Sequence, residues 1–179
     1  MVFEVRAPDI DESVRDGELP ADYVARIART KVAAVTRKPG QWALAADTTV
    51  TIDGAILGKA ESPEEATRMI ERLVGRTHQV LTAYAVLGER DGQVIATDAT
   101  VSTDVEVVAA DAQLIADYVA SGEWRGKAGA YAIQGIGCAL VRGVRGSVTN
   151  VVGLPVVEVL ATLRELGGPV AELARGASQ

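Results

Sequence analysis

Cysteine and histidine each occur once in the 179 residues, as Cys138 and His78. A single thiol rules out an intrachain disulfide and fits a reducing cytoplasm. One histidine and one cysteine cannot build a zinc site of the usual type, and a Ser/His/Asp hydrolase has no support. His78 sits in a Val/Thr-rich stretch and reads as structural rather than as a general base. Cys138, read as part of an apolar strand, reads as a packed thiol rather than a nucleophile. Phosphate-binding signatures are missing too: there is no GxxxxGK[ST], and Gly135 with Gly137 does not make a GxGxxG after a strand. No apolar run approaches the roughly 20 residues that span a bilayer. The opening MVFEVRAPDIDES carries neither the basic flank nor the apolar stretch of a secretory signal, so a cytoplasmic protein without membrane association is expected. Repeats, low-complexity tracts and Pro/Ser-rich linkers are also absent. Basic residues are outnumbered: the net charge of -6 and pI near 4.9 disfavour duplex nucleic acid as a partner. A single phosphorylated metabolite would need only a local cationic pocket.

What is present is a 48% apolar chain, enough for one α/β domain with a substantial core. Val2 to Arg6 reads as a short strand, followed by the acidic turn PDIDES. In ADYVARIARTKVAAV, Val24, Ile27, Ala28 and Val32 recur at helical spacing, with Arg26, Arg29 and Lys31 on the other faces. WALAADTTVTIDGAIL is a nearly continuous apolar run with an Asp53-Gly54 turn, a buried strand and hairpin interrupted by Asp47. Ser62, Pro63 and Glu65 start a helix as a capping box, Ala66, Met69, Ile70 and Leu73 form its buried stripe, and Gly75 ends it. His78 to Leu87 and Val94 to Val108 predict long antiparallel strands around an Asp91-Gly92 turn. Asp111 to Val119 predicts a short helix with Leu114, Ile115, Tyr118 and Val119 inward. The glycine-dense GEWRGKAGAYAIQGIG is too interrupted for one element and could bring backbone close to a ligand. A strand CALVRGV, a turn over Gly146 to Asn150 and a helix from Pro155 to Leu166 follow, with a frayed tail after Gly167.

Certain polar groups interrupt these apolar or glycine-rich surroundings: Asp11 with Glu12, Asp47, Lys59, and Lys127 with Gln134. Together they suggest a phosphate and metal site, since carboxylates bind a hard cation such as magnesium through oxygen and lysines neutralise phosphate. Each also has a plainer reading. Asp11 and Glu12 could solvate a turn, Asp47 could cap a bend in its strand, and Lys59 could be an ordinary surface lysine. The glycines beside Lys127 could serve only a tight turn, and Gln134 could present its amide to a nucleobase or tie down a loop.

In order, PDIDES with ELPADYVARIARTKVAAV, LAADTTV, ILGKAESPEEATRMIERLVGRTHQVLTAYAV, ASGEWRGKAGAYAIQG and SVTNVVGLPVVEVL closely resemble the Maf family, from Phe3 to about Leu166. The resemblance implies one domain over 1–179 with a tail from 167. It implies an α/β fold like that of inosine triphosphate pyrophosphatases, a twisted mixed sheet with flanking helices and two lobes around a cleft. The implied activity is hydrolysis of a nucleoside triphosphate, dTTP or UTP by preference, to the monophosphate and pyrophosphate. A divalent cation, magnesium or manganese, and a homodimer are also implied. Asp47 would be the catalytic carboxylate, sharing a metal with Glu12, while Lys31, Lys59 and Lys127 would meet phosphate oxygens. Thr48 and Gln134 fall where the family tunes base recognition. Family members open with a strand and a Ser-x-Ser-Pro-Arg-Arg loop that would precede Met1, so an upstream start is expected, and the loss of those arginines would weaken phosphate binding. Two alternatives stay open: a 7-methyl-GTP pyrophosphatase, and a truncated nucleotide-binding regulator without catalysis.

Overall fold

Local chemistry sets most of the element boundaries in the computed structural model, which describes residues 3–170. Helix α1 (Pro20–Ala33) begins with proline in its first turn, where the missing N–H costs nothing. It buries Val24, Ala25, Ile27, Ala28 and Val32. Strands β1 (Ala43–Ile52) and β2 (Ala55–Leu57) are joined at Asp53-Gly54, and β3 (Thr77–Arg90) and β4 (Gln93–Val107) at Asp91-Gly92. In both turns the Asp and the Gly have positive φ, at 54° and 75° and at 53° and 76°, the backbone required by a tight hairpin that matches strand twist. Between the hairpins lies α2 (Pro63–Leu73), followed after β4 by α3 (Ala112–Ser121), a 3-10 helix (Gly135–Leu140), β5 (Val141–Arg145), α4 (Val148–Val152) and α5 (Val156–Leu166).

The sheet order is β2-β1-β3-β4-β5, and every described pairing is antiparallel. The α/β class stands as expected, and within it the described sheet is antiparallel where a mixed one was implied: hairpins join β1 to β2 and β3 to β4, and longer helical connections bring β3 and β5 back antiparallel to their neighbours. Central β3 is covered on both faces. Leu81, Ala83 and Ala85 pack on α1, while Tyr84 and Val86 pack on Val159 and Leu163 of α5. Toward the β2 end a larger cluster joins Val50, Val80 and Val105 to Ala66, Ile70 and Leu73 of α2 and Ile115 and Tyr118 of α3. The core is therefore split by the sheet, with the α1 cluster on one face and the α2/α3 and α5 clusters along the other.

Several local expectations are corrected. Residues 3–6 form no strand; Arg6 pairs with Glu4 and donates to the Thr36 carbonyl at 3.1 Å instead of a strand partner. Val2 and the tail beyond 170 lie outside the described residues. At α2, Ser62 Oγ accepts from the Glu65 N–H at 3.2 Å, but Glu65 returns to the N–H of Glu61, one residue before the cap. Leu114 is exposed, since so short a helix buries one narrow stripe. Cys138 is exposed on the 3-10 helix rather than packed in a strand, and β5 starts only at Val141. Gly146 to Asn150 is not a simple turn: Ser147 Oγ accepts from the Asn150 N–H at 3.2 Å and starts α4.

His78 bears out its structural reading. It is 2% exposed, and its Nε2 lies 2.8 Å from the Tyr131 hydroxyl. Burial pushes its pKa from the ordinary 6.5 down to about 4. Between those values the unfolded chain binds the proton and the folded one does not, so stability falls as pH falls through that window. The loss should be on the order of 3 kcal/mol by pH 4. Denaturant unfolding at pH 7 and pH 4 should show it in the wild type and a smaller loss in His78→Gln, which can still meet Tyr131 but does not titrate. An identical acid loss in the variant would contradict this assignment.

Candidate active site

Strand β1 explains how a charged site forms inside an apolar sheet. β2 pairs with β1 only from Val50 onward. Upstream, through Asp47 and Thr48, that edge has no described strand partner and borders an open cavity of about 230 Å³. Successive side chains in a strand point to opposite faces. Asp47 therefore follows Ala45 toward α1, while Thr48 follows Ala46 toward α4 and α5.

The glycine-rich segment supplies the opposite wall. Ala128 forms an isolated bridge with Lys59, and the N–H of Gly129 lies 3.1 Å and 2.9 Å from the carbonyls of Leu57 and Gly58. Gly129 has φ +66°, and a Cβ there would come within 3.0 Å of Val50. Only a bare backbone lets this loop lie against β1, and that approach sets Lys127 beside Lys59. Asp47, Thr48, Lys59, Lys127 and Gln134 all line the one cavity, with Tyr131, Val151, Val152 and Gly153 completing the wall.

Lys31 and Glu12 enter this arrangement through Asp47. From the last turn of α1, Lys31 Nζ reaches Asp47 Oδ1 at 2.7 Å and Glu12 Oε1 at 2.8 Å. The Lys31 and Asp47 side chains are only 19% and 10% exposed, against 40% for Glu12. Burial raises the Asp47 pKa, opposed by the hydrogen bond and charge of Lys31 and by Lys59, and reinforced by Glu12. At Lys31 burial pulls downward, but its two carboxylate partners outweigh it and the pKa is raised. The ammonium expected to meet phosphate is thus the counter-ion of two carboxylates.

The loop bearing Glu12 is tied to α1 by a group that the sequence reading passed over. Arg26 grips Glu18 at 2.6 and 2.7 Å and donates to the Ser13 carbonyl at 2.9 Å. Tyr23 donates to the Glu12 carbonyl at 3.1 Å. Asp11 accepts from the Ser13 N–H at 2.9 Å, so for Asp11 the turn reading holds. From sequence Arg26 is only a cation off the apolar stripe of α1, and its acidic partner Glu18 lies in an irregular segment.

Thr48 belongs to a second network. Its hydroxyl lies 2.8 Å from that of Thr82, which donates to the Asn150 carbonyl at 3.0 Å, and 3.4 Å from the Gly153 carbonyl. Asn150, fully buried, donates to the Val80 carbonyl and to Thr103 Oγ1 at 3.0 and 2.9 Å. A hydroxyl has one proton. With the Thr82 proton on the Asn150 carbonyl, the Thr48 proton goes to Thr82 or to Gly153, and in that arrangement Thr48 offers the cavity its lone pairs. Thr82 and Asn150 were not singled out from sequence; the cue was Asn150 as a lone amide in VTNVV.

Among the described residues no three His, Cys, Asp or Glu side chains gather as a metal cluster. The oxygens that could hold a cation are those of Glu12 and Asp47, which share the Lys31 ammonium. These are hard oxygen donors already drawn toward one positive charge, a set suited to magnesium when phosphate oxygens and water complete its shell.

The fold and cavity define an α/β protein in which a buried carboxylate paired with Lys31 lines the same cavity as Lys59 and Lys127. Over residues 1–166 the sequence matches the family model described as Maf-like protein. It is 47% identical over 170 residues to the dTTP/UTP pyrophosphatase of Anaeromyxobacter dehalogenans (strain 2CP-1 / ATCC BAA-258), covering 95% of this chain and 86% of that one. Similarity to the dTTP/UTP pyrophosphatase of Myxococcus xanthus (strain DK1622) is 47% over 169 residues, with 94% and 84% covered. For the enzyme of the same name from Methylobacillus flagellatus the figures are 46% over 170 residues, 93% and 83%. The chain belongs to the Maf family.

Replacing Lys31 by methionine leaves Asp47 facing Glu12 without the cation between them. Asp47 should then titrate at higher pH than in the wild type, read from its carboxyl carbon by NMR. An unmoved midpoint would show that Lys31 does not hold this carboxylate ionised.

Proposed function

We propose that this protein hydrolyses a pyrimidine nucleoside triphosphate, dTTP or UTP, to the monophosphate and pyrophosphate. The observation that carries this reading is the meeting of Asp47, Thr48, Lys59, Lys127 and Gln134 in one cavity. Relatives near 47% identity that bear the name dTTP/UTP pyrophosphatase support it.

Each group has a task that follows from its surroundings. Asp47 has one oxygen on Lys31 and the other without a described partner, so it can take a proton from water as that water's oxygen bonds to phosphorus. General bases placed in this way contribute about 100-fold to 10,000-fold. As the bond to the leaving pyrophosphate breaks, Lys59 and Lys127 neutralise the charge collecting on its oxygens. Lys31 keeps Asp47 ionised and oriented. Glu12 and Asp47 would hold a magnesium or manganese ion, which when bound supplies charge neutralisation and a more acidic water.

Base choice follows from Thr48. Thymine and uracil carry N3–H, a donor between two carbonyl oxygens, whereas cytosine has an acceptor at N3. A hydroxyl whose proton is spent favours the former, and the Gln134 amide can serve a neighbouring carbonyl. Guanine also presents a donor, N1–H, beside a carbonyl, so the choice of a pyrimidine over methylated guanosine rests on the name borne by the relatives.

Incubation of the protein with dTTP, UTP, dCTP and 7-methyl-GTP plus magnesium, with products quantified, tests the proposal. Pyrophosphate and monophosphate should come fastest from dTTP and UTP, and Asp47→Asn should lose about 100-fold or more. Thr48→Val should narrow the preference for dTTP over dCTP by roughly tenfold, the scale of one hydrogen bond. An active Asp47→Asn, release of orthophosphate, or a preference for 7-methyl-GTP would overturn it.

A further inference from the structure

Gln134 is exposed in the cavity wall, and among the described residues its side-chain amide makes no hydrogen bond. Nothing in its own contacts aims it. Its backbone, however, is held on both sides by side chains from α3 and the residues just after that helix. On the near side, the N–H of Ala132 donates to the hydroxyl of Tyr118 at 3.1 Å, and Tyr118 is 1% exposed. On the far side, the carboxylate of Glu123 accepts the N–H of Ile136 with one oxygen and that of Gly137 with the other, both at 3.0 Å.

Glu123 does not line the cavity. It follows Gly122, which ends α3 in the left-handed conformation, and lies behind the segment that carries Gln134. Gly135 has φ +68°, and a Cβ there would stand 2.5 Å from Glu123 Oε1. The carboxylate therefore presses against the backbone immediately after Gln134. The two N–H groups that it takes lie in the opening turn of a short 3-10 helix, where the i→i+3 pattern leaves that of Ile136 without a partner. A two-oxygen anion satisfies both at once, with charge-assisted bonds stronger than neutral ones.

We propose that Glu123 is a positioning residue for base recognition: by clamping the Ile136 and Gly137 amides, it fixes the direction in which Gln134 presents its side chain to the nucleobase. This rests on the reading of the cavity as a pyrimidine nucleotide site with Gln134 at the base. Through that route Glu123 governs how tightly and how selectively the nucleotide is held, more than the rate at which bound nucleotide reacts.

The test compares Glu123→Ala, Glu123→Gln, Gln134→Ala and the double variant Glu123→Ala/Gln134→Ala for KM and kcat on dTTP and dCTP. In Glu123→Ala the KM for dTTP should rise about tenfold, with a much smaller change in kcat, and the preference for dTTP over dCTP should shrink. Glu123→Gln, which keeps one accepting oxygen and the side-chain shape, should fall between it and the wild type. In the Gln134→Ala background the Glu123→Ala change should have little further effect on preference, because residues acting through one another are not additive. Equal kcat losses on both substrates with KM unchanged, or additive effects in the double variant, would overturn the proposal. If Gln134→Ala alters base preference and Glu123→Ala does not, the positioning role falls alone. Should Gln134→Ala leave preference untouched, the base-reading role of Gln134 falls and takes the proposal with it. If Glu123→Ala does not fold, Glu123→Gln decides by the same KM and preference criteria, with no change counting against the proposal.

Discussion

A carboxylate set into an apolar strand is costly unless a counter-charge reaches it, and at Asp47 that charge is the ammonium of Lys31, 2.7 Å away. Much else follows from satisfying this constraint. Lys31 stands in the last turn of α1, so α1 must pack on β1 and β3, as Val24, Ala25, Ala28 and Val32 do against Ala43, Leu81, Ala83 and Ala85. The same ammonium holds Glu12 at 2.8 Å, and the irregular segment that carries Glu12 is fastened to α1 by Arg26 and Tyr23. A pair of carboxylates is thereby assembled around one cation, and Asp47 of the pair lines the cavity.

The cavity itself exists because β2 is short. It pairs with β1 at Val50, Thr51 and Ile52 only, and the Lys127–Ala130 turn docks on the hairpin through Gly129 instead of extending the sheet. One wall is therefore cationic and the other carries Asp47, while α4 closes the end through the Asn150, Thr82 and Thr48 hydrogen bonds. Buried polar networks of this kind orient their members. Here the result is a Thr48 hydroxyl held between Thr82 and the Gly153 carbonyl at the cavity wall.

Sequence carried the fold where local chemistry decides. The Asp-Gly hairpins, the Ser62 cap with Pro63 after it and the periodic stripe of α1 were all legible, because each depends on residues within a few positions. The Maf resemblance was also legible, and it located Asp47, Thr48, Lys59, Lys127 and Gln134 in advance of the cavity that unites them. What escaped depends on long-range packing. The pairing of Lys31 with carboxylates at positions 12 and 47 is one such feature, and no local pattern announces it. Glu123 and Asn150 act through backbone groups distant in sequence, and Cys138 left its expected strand because the segment from Gly135 winds into a 3-10 helix.

The central claim is that the cavity beside Asp47 is where the nucleotide binds. The direct measurement is a titration of the full chain with a non-hydrolysable dUTP analogue and magnesium, followed by backbone amide NMR. The account predicts that the largest shifts fall on 46–50, 126–134 and 151–153, with the amide of Lys59 among them. Binding that instead moves residues around Asp104, Glu106 and Arg145, where a smaller cavity of about 200 Å³ lies, or no binding at all, would contradict it.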